Sequence, residues 1–380
     1  MKNHFYFLIF TVTVLSSLAR CHLQAQSYHI IGDQTWAWDV TNSGVVAAQI
    51  TNGNYFVWTP SEGLVNIGGI ADGGQVAISN DGNLIGGNAI NPSTNLVEAA
   101  LYNRTTQQWQ TLGSLGSNSG SSASTHWGMN RTGTVSVGLG WVSAGSAHAV
   151  RFDNVSGTAL SLGSSVSGRS SRANAVNADG SVIVGWQDAE SGFRQGAIWE
   201  WDGTNYNQSL IVDPNGNPML EAGEVTADGR FVIGGGNSST RAWRFDTVTG
   251  DFEFFGQLGV HTFNPSYGAT SISDDGRIVI GFERSFPPNP LTGTEPFIWI
   301  EGQGTFNLNN WVTNTLGIDL GGTRLTTVLG ISGNGQYIVG INNQFQGFVI
   351  NTIPEPGSLW LLMTGSPICL LRHRRRQSIV

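Results

Sequence analysis

Ala269-Thr-Ser-Ile-Ser-Asp-Asp-Gly-Arg-Ile-Val-Ile-Gly281 reads as a small-residue strand, an Asp-Gly turn and a β-branched strand that ends on glycine. Two hydrophobic runs split by Asp-Gly predict a hairpin, because the turn needs a positive φ that glycine adopts without strain. The same phrase recurs along the chain, with turn glycines at Gly44, Gly82, Gly133, Gly180, Gly229, Gly276 and Gly335. Four residues before each stands an apolar residue: Val40, Ile78, Met129, Val176, Val225, Ile272 and Ile331. Five residues after each stands a second glycine, at 87, 138, 185, 234, 281 and 340, and only the first copy departs, with Gln49.

Each copy continues into a third strand closed by a bulky residue: Trp58, Tyr102, Phe152, Trp199, Phe245, Trp299 and Ile350. A short fourth strand follows in most copies, as in Leu64–Ile67, Gln110–Leu112, Leu160–Leu162, Phe252–Phe255 and Phe306–Leu308, with Gln208–Val212 assigned in the fourth. The glycines are spaced by 38, 51, 47, 49, 47 and 59 residues. Four strands in roughly 40–50 residues is the length of a propeller blade. The seventh copy ends at Ile350 without a fourth strand, and Tyr28-His-Ile-Ile-Gly32 supplies one of the same pattern at the other end. The fold expected is therefore an all-β, seven-bladed propeller over residues 26–352, its last blade completed by the N-terminal strand. Such closure removes a free sheet edge. No long amphipathic helix interrupts the pattern.

Residues 26–353 carry 12 arginines, no lysine and 25 acidic residues, a formal −13. A surface of that sign repels phosphate backbones and anionic membranes, so nucleic acid is not an expected partner. The two cysteines, Cys21 and Cys369, lie at the ends, leaving the body without a disulfide or a Cys-ligated metal. The chain is expected to be a monomer.

A short basic start followed by apolar Phe5–Leu15 reads as a secretory signal peptide over residues 1–25, with cleavage after Ala25. Leu18-Ala-Arg-Cys21 has the outline of a lipoprotein signal, but Arg20 occupies a position that normally takes a small residue. The other end runs Ile353-Pro-Glu-Pro-Gly-Ser358, then apolar Leu359–Leu371, then the basic cluster Arg372, Arg374, Arg375 and Arg376. This order over residues 353–376 resembles the PEP-CTERM sorting signal of Gram-negative bacteria. The resemblance implies that Pro354, Glu355 and Pro356 are recognised by an exosortase, a membrane peptidase that passes its substrate to the cell surface or exopolysaccharide layer. The apolar stretch has 13 residues and contains Pro367, short for a span of about 20. The arginines stand where the positive-inside rule puts them for a transiently inserted tail. The body also resembles HAF-repeat proteins through His148-Ala149-Val150 and the apolar pattern of the other third strands, which implies an extracellular repeat protein and brings no catalytic residues.

The Asp-Gly turns at Asp81, Asp179, Asp228 and Asp275 lack the ligand spacing of an EF-hand and are explained by turn chemistry. Immediately before each apolar anchor lies another ring of equivalent positions: Asp39, Ala77, Gly128, Ala175, Glu224, Ser271 and Gly330. Small residues suit crowded strands near a propeller axis, so Asp39 and Glu224 stand out. They are candidates for the paired carboxylates of a glycosidase, or for polar groups satisfied by neighbouring backbone amides. Spacing alone leaves both open.

The histidines are scattered, and no HExxH, nucleophile elbow or P-loop occurs. No catalytic residue, metal or cofactor is expected, and no residue is assigned to a ligand. Most of the 13 tryptophans fall on repeat positions and are expected in the blade core, whereas Trp141 and Trp186 are expected to reach loops where they could stack on sugars. The expected function is an exported, surface-associated binding or structural scaffold, with exopolysaccharide as a candidate ligand. The alternative is an extracellular carbohydrate-active enzyme.

Overall fold

All seven turn glycines have positive φ, from 73° to 83°. Each donates its amide to the carbonyl three residues back, as Gly276 does to Ser273 at 2.9 Å. A second device repeats in the same turns. The residue three before each glycine is Thr41, Ser79, Asn130, Asn177, Thr226, Ser273 or Ser332, and its side-chain oxygen accepts from an amide at, or in the first repeat just before, the start of the next strand. The turn aspartates are held in this network: the Ser79, Thr226 and Ser273 hydroxyls donate to Asp81, Asp228 and Asp275.

The computed structural model describes residues 26–50, 53–71, 73–236, 241–255, 257–260, 265–285, 289 and 291–353. The cleavage site at Ala25, Pro354–Pro356, the apolar run and the arginine cluster lie outside the described residues. Within the described body, each sequence repeat is an antiparallel meander of four strands. In the fourth repeat these are Ser171–Val176, Val182–Asp188, Arg194–Trp201 and Tyr206–Leu210, innermost to outermost. The outer strand assigned to Gln208–Val212 thus begins two residues earlier. Helix among the described residues is confined to Leu308–Asn310 and the π turn Trp311–Thr315, and none is long and apolar enough to cross a membrane.

Ser27–Asp33 pairs antiparallel with Gln346–Asn351, Ser27 opposite Asn351, with a bulge between Ile30 and Gly32. The first strand of the body therefore finishes the last sheet. That sheet packs on the first: Val40 and Val46 share a buried cluster with Tyr337, Val339 and Val349. Other clusters likewise sit between neighbouring sheets, as where Val135 and Val137 meet Val176, Ile183 and Trp199.

Each of the seven repeats has four strands, but not every repeat stands as a sheet of its own. The strands form five four-stranded sheets and one of eight, because the fifth and sixth repeats are joined. Gly235 and Gly236 of one pair with Gly268 and Tyr267 of the other. A side chain on Gly235 would stand 3.1 Å from the Tyr267 carbonyl, so glycine permits the approach.

The glycine five residues after each turn has a steric cause. A Cβ on Gly138, Gly185, Gly281 or Gly340 would stand 2.0–2.1 Å from a carbonyl oxygen of the neighbouring inner strand. The exception in the first repeat is a shift of frame. Ala37 pairs with Ala48, four residues after Gly44, whereas Ala173 pairs with Gly185, five after Gly180. The first hairpin is one residue shorter, and Ala48, not Gln49, fills the glycine position.

Candidate functional site

The inner strands carry a shared irregularity. In six repeats the pairing of inner and second strands slips by one residue, between Ala37 and Asp39, His126 and Gly128, Ala173 and Ala175, Ala222 and Glu224, Ala269 and Ser271, and Val328 and Gly330. A bulge frees one residue from the ladder and re-aims its neighbours. Here it turns side chains toward a common channel, and all seven ring positions from Asp39 to Gly330 line that channel.

Crowding explains the small residues of the ring. A Cβ on Gly128 would lie 2.2 Å from the Asn174 carbonyl oxygen, and one on Gly330 would lie 2.4 Å from that of Trp38. The polar members bind backbone across the gap between repeats. Asp39 accepts from the Val40 amide (2.8 Å) and from Ile78 of the next repeat (2.9 Å). Glu224 accepts from Ile272 (3.1 Å), and Ser271 in turn from Ile331 (3.2 Å). Both candidate carboxylates thus lie in one cavity, and both are tied to neighbouring amides.

Two further charges join them from turns. Arg131 and Asp274 form an ion pair at 2.8 Å that links the third repeat to the sixth. Burial pushes the Asp39 carboxyl above its usual range, opposed by the Arg131 guanidinium and the two accepted amides. Glu224 is raised to about 7, chiefly by burial, with Arg131 and Ser271 pulling the other way. Burial acts against the charged form of Arg131, but Asp39, Asp274 and Glu224 together hold its pKa above the ordinary value. This constricted part has a volume of only about 100 Å³, enough for several water molecules.

The channel widens toward the start of the inner strands. One lobe of about 450 Å³ is lined by Leu220, Glu221, Tyr267, Phe282 and Arg284 among others. A second, of about 360 Å³, is lined by Trp36, Thr294 and Thr327. Trp38, Gln75, Thr270, Phe282, Arg284 and Leu329 line both, so the lobes are parts of one mouth. Trp36 stacks near Trp38 (6.1 Å between centroids, 22° between planes) and meets Phe345 edge-on. On another side Arg172 lies 3.4 Å above Trp127 and is ion-paired to Glu221, which Arg194 also engages at 3.3 Å.

Trp141 and Trp186 are corrected by these positions. Trp186 lies within strand Val182–Asp188, buried between Arg172 and Arg194, and Trp141 lies within strand Val135–Ser143. Neither sits in a loop. The aromatic side chains that do line the mouth or channel, Trp36, Trp38, Trp127, Tyr267 and Phe282, were not singled out from the sequence. A signal was present: Trp38 and Trp127 directly precede the ring positions Asp39 and Gly128. Among the described residues no group of three or more His, Cys, Asp or Glu side chains is placed to hold a metal ion.

No family model matches the chain, and no curated protein does. Solved structures do. The chain resembles the beta-propeller domain of Myceliophteria thermophila Cps50 (Swd1) at 10% identity and a TM-score of 0.52, over 86% of this chain and all of that one. It also aligns with TolB from Acinetobacter baumannii (13% identity, TM-score 0.44, 86% of this chain and 66% of that one). A chain of the Mitotic Checkpoint Complex aligns at 15% identity and a TM-score of 0.49, over 87% and 96%. The fold is a β-propeller, an architecture suited to binding and structural roles. At these identities the likeness concerns the fold alone.

Proposed function

We propose that the chain is an exported, surface-associated scaffold that binds a saccharide in the wide mouth of its channel. The observation that carries this reading is the mouth itself: lobes of about 450 and 360 Å³, within the range of small-molecule sites. The aromatic side chains of Trp36, Trp38, Tyr267 and Phe282 line it together with the polar residues Gln75 and Thr270. Aromatic faces cover the apolar face of a sugar ring while a few polar groups fix its hydroxyls. The terminal segments supply the export half of the proposal. A signal peptide ending at Ala25 delivers the chain, and an exosortase-type peptidase recognises Pro354–Pro356. The released body then joins the cell surface or exopolysaccharide layer.

A glycan array probed with the full chain, followed by calorimetry on hits, tests the ligand class. Trp36→Ala and Trp38→Ala should each weaken binding about tenfold or more. An array without hits, or affinity indifferent to both substitutions, would remove the saccharide from the proposal.

The shared channel of Asp39 and Glu224 favours a second reading, a glycosidase. Against it, the constricted part has room for water rather than a sugar ring, and both carboxylates accept backbone amides. Release of reducing ends that disappears in Asp39→Asn or Glu224→Gln would reverse this order.

A further inference from the structure

Arg284 differs from the other arginines in and beside the channel. Arg131 is paired with Asp274, and Arg172 and Arg194 share Glu221. Arg284 lines both lobes of the mouth, yet it has no carboxylate or hydrogen-bond partner among the described residues, and its Nε is buried and unmatched. Its guanidinium carbon lies 4.6 Å from the centre of the Phe282 ring. Burial shifts its pKa below the usual arginine value, in keeping with a charge that lacks compensation. Leaving a half-buried guanidinium unpaired is costly, and a bound anion would offset that cost.

The surroundings favour an anion although the body as a whole is acidic. Glu221 and Arg284 are the charged residues lining the two lobes, and Glu221 is already countered by Arg172 and Arg194. Glu283, next to Arg284 in the chain, is buried and accepts from the Leu258 and Gly259 amides, and charges on the outer surface are screened beyond roughly 8 Å at physiological ionic strength. The guanidinium is a planar fork of donors that matches a carboxylate in two parallel hydrogen bonds.

We propose that the saccharide bound in this mouth is acidic, a uronate-type sugar whose carboxylate docks on Arg284 while its ring lies against the Trp36 and Trp38 wall. The inference rests on the saccharide reading of the mouth and adds the charge of the ligand. Binding follows indole fluorescence or calorimetry, using the full chain with trigalacturonate and with the same trisaccharide as its methyl ester, which keeps the ring and removes the charge. Trigalacturonate should bind roughly ten- to a hundredfold more tightly than the ester, the range of a hydrogen bond to a charged group. Arg284→Gln should abolish that preference with a Tm no lower than that of the native chain, and Arg284→Lys should restore part of it. Raising salt should narrow the preference in the native chain and leave Arg284→Gln unaffected. Equal affinity for acid and ester would overturn the assignment of Arg284 while leaving the saccharide reading standing, as would neutral glycans binding where trigalacturonate does not. If no saccharide binds, both readings fall together.

Discussion

Replacing Glu224 by Gln should make the protein more stable above neutrality. Glu224 titrates near 4.5 when unfolded and at about 7 in the channel, so the folded state holds a proton that the unfolded state has released. The stability conferred by that proton is fully present below pH 4.5 and is lost as pH rises through 7. A shift of that size is worth ~3 kcal/mol between the two limits. Glutamine mimics the protonated form and keeps an oxygen that can accept from the Ile272 amide. The variant should therefore exceed the native chain by less than ~1 kcal/mol at pH 5 and by up to ~3 kcal/mol at pH 8.5. For a body of this length that corresponds to about 4 °C in Tm. Thermal unfolding of both chains from pH 5 to 8.5 gives the answer, with the difference between their Tm values as the readout. Parallel curves, or a deficit in the variant that grows toward alkaline pH, would refute the reasoning. Such a deficit would mean that Glu224 stabilises the ring as a charged partner of Arg131.

His126 should act with the opposite sign. Its ring is buried, its Nδ1 is bonded to the Gln75 carbonyl and its pKa is lowered to about 4, so stability present above pH 6.5 is lost as pH falls toward 4, and His126→Asn should flatten that limb of the Tm curve. Gly185→Ala forces a Cβ to within 2.0 Å of the Arg172 carbonyl and should cost ~3 kcal/mol. Gly163→Ala, in open space at a φ of 73°, should cost only ~1 kcal/mol, and denaturant titration of the two variants gives both values. Intact mass of protein from a native cell surface with an active exosortase should begin near Gln26 and lack everything after about Pro356. Retention of Arg372–Arg376 would make the tail a simple anchor.

The repeat, its hairpins and the closing strand were legible because they are written at constant spacing: a turn glycine, an anchor four residues before it and a glycine five after. Asp39 and Glu224 stood out for the same reason, as charges at a position otherwise small. Their partners were not legible. The residues two before the turn glycine run Asn42, Asn80, Arg131, Ala178, Ala227, Asp274 and Gly333, with no common character. Arg131 meets Asp274 only because the ring curls the third repeat toward the sixth. The bulges escaped notice because they are a change of hydrogen-bond phase, which leaves no mark in residue type. Trp38 and Trp127 directly precede ring positions, but strand alternation alone would aim them away from the channel, and only the bulge lets both neighbours line it. Gln49 shows the converse, an apparent break in pattern that was only a shortened hairpin.

The antiparallel seam between Ser27–Asp33 and Gln346–Asn351 sets a schedule for assembly. The earliest strand of the body has its partner more than 300 residues later, so it must wait with its edge bare until nearly the whole body is available. An open solenoid can grow from any point, each repeat gaining most of its stability from its neighbours. This ring cannot finish that way. Its last step joins the two most distant segments of the chain, and loop closure over such a separation is entropically slow. Every fluctuation that parts the seam exposes two edges at once, so resistance to proteolysis should follow the lifetime of this seam more than the packing of any single sheet.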